Sequence, residues 1–370
     1  MQGTAHPLFE YRIAGHPDVL LPGNPLLKKQ LPADRHAGAA STAPVTLAAY
    51  FSAIHAFLAP RISLLQPDKA SPVRIVMVKH GAFYHPAYIE VKKNGIWQRS
   101  HGVNVAVSPQ GCEIMAREFS LLSAFQDRCS HTPHVFDMDT VKTPDGTDIA
   151  LFLVEWLADH HEFHLTDAGP ENDTFVVWTP EGDRFLSAPD IRMAVYHQTA
   201  EILTDLYDPR TTAHVFPWHH AAGDFVLAHT GDQVDVRLIS VRQYAPMITP
   251  PPGDDLLLQL EAMWLFLIQM SIRMRLDRID GIGDVAWADT AAVTGTVRGW
   301  EAALNRYPIH PEAGVPPGDL IRPYIHTRSD DDWAEAARRF VQTTPEAAPE
   351  HPVIKKHLSA HIFCLRETLA

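Results

Sequence analysis

The 370-residue chain is 46% hydrophobic and 20% charged with a formal net charge of −13, which excludes disordered and fibrous classes and argues against a nucleic-acid partner, since Lys and Arg form no cluster. Three cysteines, Cys112, Cys129 and Cys364, form no even set and no metal-type spacing, so neither a disulfide framework nor a cysteine zinc site is expected, and a reducing, cytoplasmic compartment fits. The first residues lack a basic stretch followed by an apolar one, and no run is expected to span or insert into a membrane.

In chain order, residues 1–44 read as an irregular Pro-, Gly- and Ala-rich leader draped over the fold. Thr46 then opens an amphipathic helix through Leu47, Tyr50, Phe51, Ile54, Phe57 and Leu58. From Val73 the period shortens. Val73–Val78, Ala87–Val91 and Val103–Val107 read as strands, with Asn94-Gly95 a hairpin turn. A helix follows over Glu113–Phe125, with Glu118 one of its few charges, and Val135–Val141 and Ala150–Val154 form a hairpin around Pro144-Asp145-Gly146. Residues 159–187 read as polar loop apart from a short strand over Thr174–Trp178. Ile191–Tyr207 is helical, and Phe225–Leu227 and Val234–Ile239 form a second hairpin. Leu256–Ile272 is apolar on every side and is expected at the centre of a core, with helices over Trp287–Leu304, over Asp330–Val341 capped by Ser329, and over Pro352–Leu369.

Histidine is abundant at 22 residues, and two stretches concentrate it. Pro217-Trp218-His219-His220-Ala221-Ala222-Gly223-Asp224 places two imidazoles and a carboxylate at the edge of the second hairpin. His219 or His220 is a candidate base, since imidazole titrates near neutrality, or else a loop cap. Asp224 is a candidate metal ligand or histidine orienter, or an Asx cap. The second stretch runs from Glu155-Trp156 through His160, His161, Glu162 and His164; it can supply a transition-metal site that His219 and His220 complete, or a solvated loop. Trp156, Trp178 and Trp218 either wall a ligand cleft or pack in the core, and Glu118 either pairs with a cation or lies on an exposed helix face. Arg237 and Arg242 are phosphate ligands or ordinary strand-end charges.

A strand-rich lobe with one helix, a short connection, and a helical lobe whose first hairpin follows a long helix resembles the protein-kinase-like superfamily, and more loosely the bacterial lipopolysaccharide-core sugar kinases. The resemblance places His219 where the catalytic-loop Asp stands, Asp224 five positions on where the Asn stands, and Ser240 where a strand ends in a metal-binding Asp. Ile239-Ser240-Val241-Arg242-Gln243 echoes the second motif of the sugar kinases, Glu118 matches the helix glutamate of the small lobe, and Glu155 sits at the hinge. Val103–Val107 contains no lysine, and His80-Gly81-Ala82-Phe83-Tyr84-His85-Pro86 has one glycine where a phosphate-covering loop has three.

The expected fold is therefore α+β and two-lobed: residues 1–70 as an extension with one helix, 71–157 as a small antiparallel-sheet lobe with one helix, and 158–370 as a larger, mainly helical lobe. The resemblance implies ATP and a divalent metal as cofactors, which the changed ligand positions argue against. The resemblance and the residue types together give catalytic positions at His219, His220 and Asp224, cofactor positions at Glu118, Glu155 and Ser240, metal positions at Asp224 and His164, and substrate contacts at Glu162 and Trp218. The functional expectation is a degenerate kinase-like protein that holds a nucleotide, sugar, other small molecule or partner protein in the cleft between its lobes. The alternatives are an active atypical sugar kinase using His219 and Asp224, and a histidine-liganded metalloenzyme on the same scaffold.

Overall fold

The computed structural model describes residues 9–32, 44–65, 71–78, 84–169, 173–220, 223–306 and 317–370. The chain mixes helices with largely antiparallel sheets and divides into two compact units, Met1–Gln126 with Pro133–Ala158, and Asp127–Thr132 with Asp159–Ala370. Residues 79–83, in the stretch read as a phosphate-covering loop, lie outside the described residues, as do Ala221 and Ala222.

The first unit contains, in order, β1 (Phe9–Ile13), α1 (Leu47–Leu58), α2 (Ile62–Leu65), β2 (Val73–Met77), β3 (Ala87–Lys93), β4 (Ile96–Ala106), α3 (Pro109–Phe125), β5 (Val135–Lys142) and β6 (Asp148–Glu155). Its six strands form one sheet in the order β1-β2-β3-β4-β6-β5. The leader is not wholly irregular: β1 pairs in parallel with β2, Phe9 opposite Val73 and Ile13 opposite Met77. Phe9, Tyr11 and Ile13 alternate along this strand and pack against the core, and Tyr11 stacks on Phe51 at 5.0 Å. Two-residue alternation in Phe9-Glu10-Tyr11-Arg12-Ile13 is the signal for that strand. Helix α1, capped by the Thr46 side chain, buries Tyr50, Phe51, Ile54, Phe57 and Leu58 in one cluster with Val73, Ile75, Ile89, Val91, Val103, Val105, Leu151 and Leu153. Every second residue of the central strands thus faces one helix. On α3, Glu118 is 1% exposed, which corrects the reading of it as an exposed helix charge.

The second unit contains β7 (Phe163–Thr166), β8 (Thr174–Thr179), β9 (Gly182–Leu186), α4 (Pro189–Asp205), β10 (Ala213–Val215), β11 (Phe225–Thr230), β12 (Gln233–Leu238), β13 (Tyr244–Pro246), α5 (Leu256–Met274), β14 (Leu276–Arg278), β15 (Val285–Trp287), α6 (Thr290–Leu304), α7 (Pro317–His326), α8 (Asp330–Thr343) and α9 (Glu350–Leu369). The stretch read as polar loop is a three-stranded antiparallel sheet, β7-β8-β9. All four residues of β7 are buried, His164 and Thr166 included, so its polar side chains do not alternate outward and the strand is hidden from a hydropathy pattern.

Helix α5 buries Met263, Trp264, Phe266, Leu267, Ile268, Met270 and Ile272 and forms the expected centre of the unit. Leu47–Leu65 and Leu256–Met274 are long and apolar enough to cross a membrane, contrary to the sequence reading, although the apolar side chains of α5 are largely taken up by the unit's own core. Helices α4 and α6 approach closely because Gly299 carries no side chain: a Cβ there would stand 2.0 Å from the His197 carbonyl oxygen. Helix α6 starts later than expected, at Thr290 with Asp289 as its N-cap, because Trp287 belongs to β15.

Candidate functional site

The second unit assembles a polar cluster from the loop before β11, from β7 and from β14. Strands β11 and β12 pair with Phe225 opposite Leu238, and the Ile239 N–H closes the open end of the hairpin on the Asp224 carbonyl at 2.8 Å. Asp224 is 2% exposed. Its Oδ2 accepts the His219 backbone N–H at 3.0 Å, and its Oδ1 lies 2.7 Å from the Arg242 guanidinium. One carboxylate therefore ties the loop back on itself and neutralises the arginine just past β12. Asp224 thus makes a local tie within the loop through one oxygen and an ion pair with the strand-end arginine through the other.

The neighbouring imidazoles differ sharply. His219 is half-buried; burial and the Arg273 charge lower its pKa, with Asp277 and Glu350 acting in the opposite sense, so the ring is neutral at pH 7. His220 is fully buried, its ring 5.5 Å from Tyr196, 6.2 Å from Phe163 and 6.3 Å from Phe175. Burial pushes its pKa down to about 4, and neither nitrogen has a hydrogen-bond partner among the described residues. A proton acceptor for an incoming ligand must reach it, so His219 is the better placed of the two.

His164, 2% exposed, is held at both nitrogens: Nδ1 is 3.3 Å from Asp277 Oδ1 and Nε2 is 3.3 Å from Glu162 Oε1. Burial disfavours its charge, but the hydrogen bonds to Asp277 and Glu162 outweigh it and raise the pKa to about 9. Burial also works against the Asp277 charge; hydrogen bonds from His164 and from the Leu165 N–H at 2.6 Å hold that carboxyl below its usual range. The pair is an imidazolium locked between carboxylates. Gly281, in the β14–β15 turn with φ +72°, lies so near that a Cβ there would be 2.8 Å from His164 Nε2.

Asp277 lies in β14, which like β15 is a strand of three residues, too short for alternation to mark it in the sequence. The Asp280-Gly281 pair, both at positive φ, is the turn signal that marks that hairpin.

The remaining candidates are dispersed. His160 pairs with Asp235 at 3.2 Å, and His161 bridges its backbone to Leu227, so the imidazoles of residues 160–164 do not converge. No group of three or more His, Cys, Asp or Glu side chains is arranged to hold a metal ion among the described residues. Trp218 is 3% exposed and edge-on to Phe225, in keeping with the core alternative read for it. Ser240 follows β12 half-buried. Glu118 and Glu155 belong to the first unit, where the exposed Glu155 accepts the His134 N–H at 3.0 Å. Of these side chains, Asp224 is paired with Arg242, and His219 and Ser240 offer no carboxylate oxygen.

No protein-family model matches the chain, and no curated protein matches it. Among solved structures, the chain is similar to WaaP in complex with acyl carrier protein, with 10% identity over 76% of this chain and 91% of that chain at a TM-score of 0.35. A likeness at that level transfers no activity, ligand or partner to this chain.

Proposed function

We propose that the chain is a degenerate phosphotransferase-like binding protein of the protein-kinase-like class, which holds a small molecule beside His219 and does not run conventional ATP–Mg²⁺ phosphoryl transfer. The observation that carries this reading is the Asp224–Arg242 contact of 2.7 Å. At the position where the family resemblance expects a metal ligand, the carboxylate is already spent on a cation and on the His219 N–H. A divalent ion would have to displace a half-buried arginine from a buried carboxylate.

Thermal unfolding and calorimetry with ATP, GTP, Mg²⁺ and Mn²⁺, and with a panel of sugars, test the reading. The expected result is no metal-dependent stabilisation by nucleotide, together with stabilisation by a small molecule that weakens in His219→Ala. ATP stabilisation that requires Mg²⁺ and disappears in Asp224→Asn defeats the proposal. It favours instead a second reading, an active atypical sugar kinase in which His219 accepts the hydroxyl proton, supported by the half-buried, neutral state of that imidazole.

A further inference from the structure

We propose that Arg273, flanked by Phe216 and Phe340, forms an oxyanion-binding site that takes the phosphate or carboxylate group of a small molecule. Arg273 stands in the last turn of α5, its guanidinium carbon 4.5 Å from the centre of the Phe216 ring and 5.7 Å from that of Phe340. Its Nε is buried and has no hydrogen-bond partner, and no carboxylate forms an ion pair with it, among the described residues. Glu350, the acid whose charge bears on it, is paired with Arg278 at 3.5 Å.

Other arginines of this unit have an anionic or carbonyl partner, although Arg192 and Arg328 each also leave a buried Nε without a hydrogen bond among the described residues. Arg192 pairs with Asp289 at 3.0 Å, Arg242 with Asp224 at 2.7 Å, and Arg275 donates Nε–H to the Ala288 carbonyl at 2.7 Å. Arg273 is the contrast: a half-buried side chain whose Nε is shut off from water, its pKa drawn down to about 10 by desolvation, and without an ion-pairing carboxylate among the described residues. The C-terminal end of α5 favours a cation there, but it gives the Nε–H no acceptor. Aromatic rings also attract a guanidinium without using its in-plane N–H donors, and those donors match the two oxygens of a carboxylate or phosphate.

His219 is near this site in the chain. It lies three residues beyond Phe216, and the Arg273 and Arg242 charges both disfavour its protonation. An oxyanion bound by Arg273 would offset that repulsion. The site stands on Arg273 and its rings, independently of whether the hairpin loop does chemistry.

Calorimetric titration of the full chain with inorganic phosphate, and separately with acetate, at constant ionic strength is the test, using wild type, Arg273→Met, Arg273→Lys and, as a control at an exposed arginine of α6, Arg298→Gln. Saturable binding of at least one anion is expected in wild type, weakened about tenfold or more in Arg273→Met and retained in Arg298→Gln. Lysine, a point charge without the fork, should restore it only in part. Phosphate binding alone assigns a phosphate-bearing ligand, and acetate binding alone a carboxylate. No saturable binding of either anion, unchanged affinity in Arg273→Met, or equal loss in Arg298→Gln overturns the proposal. Should Arg273→Met fail to fold, unchanged affinity in Arg273→Lys overturns it.

Discussion

His164 and Asp277, 113 residues apart in the chain, meet through a hydrogen bond of 3.3 Å between side chains that are each 2% exposed. This contact joins β7 to β14, and Glu162 on the other ring nitrogen extends it toward the loop before β11, where its carboxylate lies beside Gly223. A cation is fixed between two anions at the base of the site, and its partners are set before any ligand arrives.

Removing one member of that set should be severe. Asp277→Ala leaves a buried imidazolium with one partner and strips the Leu165 N–H of its acceptor. A loss of about 3–5 kcal/mol is expected from breaking a buried pair, to be read from urea unfolding midpoints at pH 7. A loss below about 1 kcal/mol would contradict the locked pair.

The same pair predicts alkaline sensitivity. The folded-state pKa of His164 is raised from 6.5 to about 9, so its contribution is fully present below 6.5 and is lost as pH rises through about 9. The unfolding midpoint should fall across that window in wild type, and the fall should be shallower in His164→Gln. Identical slopes in the two proteins sink the assignment.

Much of this architecture is legible in the sequence where one physical signal dominates. The Thr46 cap and the spacing of Tyr50, Phe51 and Ile54 give α1, Asn94-Gly95 gives the β3–β4 hairpin, and Ser329 caps α8 as expected, with Asp332 completing a capping box. Legibility fails where polar residues are buried. His164 and Thr166 hide β7, and Asp277 sits in a strand of three residues whose burial depends on partners far away in the chain. His219, His220 and Asp224 stand out as a cluster by their types. Their division into a half-buried neutral ring, an enclosed ring and a loop clamp depends on Arg242, Arg273, Phe163, Phe175 and Tyr196, which no local pattern connects to them.

The Asp224–Arg242 contact should show coupling. Asp224→Asn and Arg242→Gln each remove half of a pair in which the acid is buried and the base 35% exposed. Exposure of the arginine discounts the contact, so a double-mutant cycle should give a coupling of about 1–2 kcal/mol in unfolding free energy. Additive effects within about 0.3 kcal/mol would mean that the ion pair does not hold the loop, and would remove the main objection to a metal at Asp224.

His220 predicts the opposite pH dependence to His164. Its pKa is depressed from 6.5 to about 4 because the ring is enclosed, so the unfolded chain binds a proton more readily than the folded one in that interval. Its stabilising contribution is present above 6.5 and is lost as pH falls toward about 4. His361, lowered to about 3 and likewise buried, adds to the same acid limb, so His220 accounts for part of the slope only. Replacing His220 with Phe keeps an aromatic ring among Phe163, Phe175 and Tyr196 and removes two nitrogens that have no hydrogen-bond partner among the described residues. The variant should match or exceed wild-type stability at pH 7, within about 1 kcal/mol, and lose less of it between pH 6.5 and 4. Urea midpoints taken along that pH series decide the matter: an unchanged acid slope in His220→Phe means that the ring is not held neutral by its aromatic enclosure, and would return His220 to contention with His219 as a proton acceptor.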